Sequence, residues 1–200
     1  MREFSLSIGK VKKLSIRLLD NDPGTYIIRK WNPLNRTKKE TKMNTSQVQI
    51  VTRKAFRVAG MRYAGKNEHA EIPKMWDEFI PRSNELSDNQ DPGVFFGVAR
   101  SIPGVPESEG FEYLAGVQVS TTTQIPAGMV AWEIPALTYA VLPANDVPGI
   151  APVSDFFYKE WLPKSTEWEM GEGIMIEYYP PEYPQHLVIY LNFPVQPKKT

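Results

Sequence analysis

The sequence predicts an α+β fold: a tandem β-α-β-β duplication forming a curved antiparallel sheet of about eight strands, with two main helices around a central pocket. Three observations predict it. "MWDEFIPRS" (Met75–Ser83) and "FYKEWLPKS" (Phe157–Ser165) agree in residue type position by position, at an offset of 82. Short runs rich in β-branched and aromatic residues flank both segments, broken by Pro and Gly, as strands and turns are. Around the first segment, Ile72, Met75, Trp76, Phe79 and Ile80 fall at i, i+3, i+4, i+7 and i+8, a single helical stripe that must cover a sheet face.

The elements follow in chain order. Within Ser7–Leu19 the early apolar spacing suits a short amphipathic helix, Asp-Asn-Asp-Pro-Gly (20–24) marks a turn, and "TYIIRKW" (25–31) favours a strand. Residues 35–46 are polar, basic and linker-like. Residues 48–65 read as one strand, 69–86 as a helix with Pro73 in its first turn, 94–100 and 111–120 as strands. The second copy reads 129–143 as a strand bent at Pro135 and 152–165 as a helix capped by Ser154 or Asp155. Its last two strands are 173–180 and 186–195. A pseudo-twofold seam between the copies is a natural place for a cleft.

Charge divides the chain. Residues 1–45 hold 11 Lys/Arg against 4 Asp/Glu, a balance of +7, and residues 46–200 hold 12 against 19, a balance of −7. We therefore expect a basic N-terminal arm or linker, partly ordered, over residues 1–46 and one domain over 47–200. The arm suits weak nucleic-acid or protein contact, since Lys and Arg neutralise phosphates. Its opening "FSLSIGKVKKL" faintly resembles the first helix of MerR-type DNA-binding domains, but no recognition helix and wing follow, so sequence-specific DNA binding by this chain alone is not expected.

Other chemistries find little support. Cysteine is absent and only His69 and His186 occur, so thiolate sites, histidine triads and His-rich metal sites are not expected. No P-loop or GxGxxG is present, so no cofactor or metal is expected. No apolar run approaches a membrane span, and no signal-peptide stretch opens the chain, so the expected location is the cytoplasm. "PESEGFE" (106–112) reads as a solvated acidic loop.

Glu177 stands out as a binding residue. In "GIMIEYYP" it alternates with apolar and aromatic residues on both faces of a strand, where an unpaired carboxylate is costly. Such a group must find a cation or take up a proton. A carboxylate among aromatic rings selects an amphipathic cation, through charge pairing and cation–π attraction. Trp76 and Trp161, on the repeated helices, are candidates for core or pocket wall. Phe96 and Tyr179 are further lining candidates.

"EIPKMWDEF", "FEYLAGVQV", "IPAGMVAWEIPALTYAVLP" and "FYKEWLPKSTEWEMGEGIMIEYY" resemble the GyrI-like small-molecule-binding domain, the effector-binding domain of AraC- and MerR-type multidrug regulators. The resemblance covers about residues 48–196. It implies paired β-α-β-β units around a central pocket that often takes large, apolar, cationic molecules. It places Glu177 on the position of the family's pocket glutamate, and Tyr113 and Tyr139 on positions that commonly line the pocket. Some members carry a second acid in the final strand; here that strand offers Asn192, so one formal charge is expected. The function expected is that of a stand-alone effector-binding protein of transcription-regulator type, binding cationic or aromatic ligands. Two alternatives stay open. One is a hydrolase of cyclopropane-type electrophilic toxins, with Glu177 as general base assisted by Tyr113 or Tyr139. The other is a gyrase-inhibitor-like protein-interaction module.

Overall fold

A computed structural model describes residues 2–8, 12–18, 26–30 and 48–199 of the protein. The N-terminal segment contains three antiparallel strands, β1 (Arg2–Ile8), β2 (Lys12–Leu18) and β3 (Tyr26–Lys30), in that order. The expectation of a short helix over Ser7–Leu19 is thus corrected. Leu14, Ile16 and Leu18 alternate with a period of two, and this period prevails over the helical spacing of the residues before them. The turn at 20–24 and the linker at 35–46 lie outside the described residues.

From residue 49 the chain builds one nine-stranded antiparallel sheet. Its first half contains β4 (Gln49–Arg53), β5 (Phe56–Gly65), helix α1 (Glu71–Arg82), β6 (Phe95–Ser101) and β7 (Phe111–Val119). Its second half contains β8 (Val130–Ile134), β9 (Leu137–Asn145), helix α2 (Ile150–Phe156), one π-helical turn (Phe157–Trp161), α3 (Leu162–Lys164), β10 (Trp168–Met170), β11 (Met175–Tyr179) and β12 (Val188–Pro197). The spatial order is β4-β9-β12-β11-β6-β7-β5-β8, with β10 paired to β12.

That order is a palindrome of the duplication. From the β11–β6 seam outward, β6, β7, β5 and β8 on one side match β11, β12, β9 and β4 on the other. The outermost strands are exchanged: β4 leads the first half but pairs with β9, and β8 leads the second half but pairs with β5. The single strands expected over 48–65 and 129–143 are therefore each two strands, broken at equivalent points, 54–55 and 135–136. Each break lets the lead strand cross to the other half. The exchange ties the copies into one sheet, and the short β10 brings the strand count to nine rather than eight.

Both helices pack on one face. Met75, Trp76 and Phe79 of α1 and Val153, Phe156 and Phe157 of the second helix share a core with Tyr113, Ala115, Val117, Leu142, Leu191 and Phe193 from the sheet. Burying each large side chain contributes about 1.5–3 kcal/mol. Helix α1 starts after Ala70, held in the left-handed region, and Asn67 Oδ1 accepts the Ile72 N–H at 3.0 Å. The second helix begins earlier than 152, since Pro152 is tolerated in a first turn. Asp146, not Ser154 or Asp155, supplies its leading cap, accepting from Val147 N at 2.9 Å ahead of a 3-10 turn.

The other face carries a second cluster, including Val58, Phe96, Val98, Leu114, Trp132, Tyr139 and Ile176. The acidic loop expected at 106–112 ends sooner than its sequence suggests. Glu112 belongs to β7 and is buried between Arg62 and Arg100, whose Nε atoms lie 2.7 and 2.6 Å from its carboxylate oxygens. Burial alone raises its pKa, but Arg100 and Arg62 outweigh that and hold the carboxyl below the usual range.

Candidate functional site

Glu177 lies on β11, the second half's seam strand, and its side chain faces the helices. Strand pairing sets Gly97 of β6 directly opposite on one side and Leu191 of β12 on the other. Tyr113 Oη donates to Glu177 Oε2 at 2.6 Å, and Tyr179 Oη donates to the same oxygen at 2.9 Å. Trp76 Nε1 donates to Tyr113 Oη at 3.2 Å, and the Trp76 and Tyr179 rings meet edge-on at 5.4 Å. Four candidates from the sequence, Glu177, Tyr113, Tyr179 and Trp76, thus form one connected unit.

The residue that makes the unit fit is Gly97, which sequence reasoning missed. A Cβ at that position would lie 2.0 Å from Tyr113 Oη and 2.6 Å from Glu177 Oε2. Only a glycine lets the tyrosine and the carboxylate meet across the seam. The available signal was an isolated Gly inside the apolar strand "VFFGVAR", a pattern that marks close approach.

The electrostatics follow from this geometry. Burial pushes the Glu177 carboxyl above the ordinary glutamate value of 4.5, while the two tyrosine hydroxyls pull it back. Burial, and then the Glu177 charge, raise Tyr113 and Tyr179 well above their ordinary range, so both remain proton donors. Both bonds fall on Oε2. Oε1 carries no hydrogen bond from the described residues, and it is not among the buried atoms left without a partner. Glu177 keeps partial exposure although its strand lies mid-sheet under the helix layer. Small residues, Gly97, Ala99 and Ala115, share this face of the seam. The arrangement presents one carboxylate oxygen, fixed from behind and free in front, beside aromatic rings.

The remaining candidates lie elsewhere. Phe96 and Tyr139 sit on the opposite face of the sheet, in the second cluster, because each is an odd number of residues from a helix-facing position on its own strand. Trp161 packs at the edge of the helix-side core, stacked on Phe157 with centroids 5.6 Å apart.

Comparison with known proteins agrees with this architecture. A model of the Cass2 family, described as integron-associated effector binding protein, matches residues 49–195. The transcriptional regulator BrlR of Pseudomonas aeruginosa is 33% identical over 139 residues, 69% of this chain and 50% of BrlR, so the chain spans about half the length of that relative. The structure of SAV2435 bound to tetraphenylphosphonium shares the fold at a TM-score of 0.55 and 12% identity, over 74% of this chain and 93% of SAV2435. An integron cassette protein from the mobile metagenome of Vibrio cholerae does so at 0.51 and 14%, over 76% and 97%. No helix among the described residues is long and apolar enough to cross a membrane. Built on this duplicated sheet and matched by the family model over most of its length, the chain belongs to the Cass2 family of integron-associated effector-binding proteins.

Proposed function

We propose that residues 47–200 capture an amphipathic, cationic or aromatic small molecule at the seam, with Glu177 as its counter-charge, in the manner of a regulator's sensing domain. The observation that carries this reading is the free Oε1 of Glu177, held in place by two tyrosine hydroxyls on Oε2. A carboxylate already desolvated and oriented loses little more on meeting a cation, and neighbouring ring faces add about 0.5–2 kcal/mol each. The fold shared with the tetraphenylphosphonium complex of SAV2435 makes that ion the first probe. The basic segment 1–46 suits protein or weak nucleic-acid contact, and a cytoplasmic location fits a sensor of this kind.

The hydrolase reading uses the same oxygen as a base toward water. It is the second choice, because the Tyr113 proton is already committed to Glu177 and Tyr139 lies on the opposite face of the sheet. A thermal-shift titration with tetraphenylphosphonium tests the proposal. At a hundred times its dissociation constant a ligand adds about 2.7 kcal/mol. Wild type should show that rise and E177Q should lose most of it. Equal shifts in both proteins, or none in wild type, would overturn the reading.

A further inference from the structure

The face of the sheet turned away from the helices holds a braced arginine. Arg53, at the end of β4, donates Nε to Asn192 Oδ1 at 2.9 Å, and its guanidinium carbon lies 5.6 Å from the centroid of the Tyr178 ring. Asn192 is 0% exposed, and its Nδ2 donates to Ile176 O at 3.2 Å and Tyr190 O at 2.9 Å. Both amide protons are committed, so Oδ1 has one direction left to face, and it holds Arg53 at Nε. The half-buried guanidinium is therefore placed in advance by a buried carboxamide.

What Arg53 lacks among the described residues is a counter-ion. Its two Nη groups make no hydrogen bond there, and no described carboxylate pairs with it. Its diagonal neighbour on the same face is Tyr139, which pairs with Val51 of β4. Tyr139 is 0% exposed and its hydroxyl has no partner. Burial pushes that hydroxyl up to about 12, against the pull of the Arg53 charge. The Tyr139 hydroxyl is costly to leave unpaired, whereas the Arg53 Nη groups are not among the buried unpartnered atoms and so stand open to an anion. One complement suits both: an anionic oxygen pair. Exposed Tyr190 and half-buried Tyr178 flank the position, their ring centroids 6.2 Å apart. Asp91 and Glu182 act on Tyr178 from nearby, so the one guanidinium held at this position balances at most a single added negative charge.

We propose that this face is a second ligand site, for an aromatic monocarboxylate. Arg53 Nη1 and Nη2 take the carboxylate as a fork, Tyr139 Oη donates to one of its oxygens, and the ligand's ring lies against Tyr178 and Tyr190. The site is separate from Glu177, and neither proposal rests on the other.

The probe is 2-naphthoate, titrated into the full chain by calorimetry. Wild type should bind saturably. R53Q should weaken binding by about tenfold or more, and R53K, which keeps the charge but loses the fork, by a smaller factor. Y139F should weaken it several-fold without lowering thermal stability. R53Q should keep the cooperative thermal unfolding of wild type, which shows that the fold is intact. No saturable binding by wild type, or equal binding by wild type and by R53Q and R53K, would overturn the proposal. So would a Y139F protein that binds naphthoate unchanged.

Discussion

In the first copy of the repeat, Trp76 is 5% exposed and gives its indole N–H to Tyr113. Eighty-two residues later its counterpart Tyr158 is 45% exposed, on a helix that passes through a π-turn at that point. At the seam the copies differ again: a carboxylate on β11 faces a glycine on β6. The duplicated frame is symmetric in strand order, yet the side chains at its centre differ between the copies. Two carboxylates opposed across that pair would repel. One carboxylate with a glycine opposite leaves room for a tyrosine to reach over and hold it.

Substitutions at matched positions test how far this asymmetry goes. Trp76→Ala should cost about 3–5 kcal/mol, as large aromatic truncations in a core do, while Tyr158→Ala should cost under about 1 kcal/mol. Urea denaturation of the two proteins measures the difference, and equal losses would mean the helices are equivalent after all. Gly97→Ala comes next. Its methyl group meets Tyr113 Oη and Glu177 Oε2, so a loss of about 1–3 kcal/mol is expected. A neutral result would show that the tyrosine and carboxylate do not meet over residue 97.

Tyr113→Phe removes one of two donors from a half-buried carboxylate, at about 1.5–3 kcal/mol for a charge-assisted bond. Part of that loss disappears in acid, where Glu177 is protonated. The sign follows from its raised pKa. Stability from Glu177 is fully present below its ordinary value of 4.5 and falls as pH rises through the raised folded value. In E177Q that fall is absent, which a denaturation series from pH 4 to pH 8 reads directly. The smallest effect belongs to Tyr139→Phe on the opposite face. Its hydroxyl has no partner, so stability should stay level or rise by under about 1 kcal/mol.

Much of the fold was legible because its signals are periodic. The stripe from Ile72 to Ile80 fixes α1 and its buried face, and the repeat at offset 82 fixes the order of the second half. The strand exchange was not legible. Residues 48–65 and 129–143 each read as continuous β-sequence, and only long-range pairing reveals that both break and cross. Glu177 was visible as a carboxylate in an apolar strand, and Tyr179 followed from the same alternation. Tyr113 and Tyr139 came from the family resemblance, and only the register separates them, sending one to Glu177 and the other to the far face. Asn192 read as a missing acid; in the structure it is a brace for Arg53, a role that depends on backbone carbonyls no sequence pattern displays.

The central claim is that Glu177 Oε1 is a poised counter-charge. Calorimetric titration of tetraphenylphosphonium, a permanent cation, against wild type and E177Q between pH 4 and pH 8 tests it most directly. The account predicts that wild-type affinity climbs as pH rises through the raised pKa of Glu177. It also predicts that E177Q binds at least about tenfold more weakly at pH 8, with no such climb. A wild-type affinity that is flat with pH and matched by E177Q would contradict it.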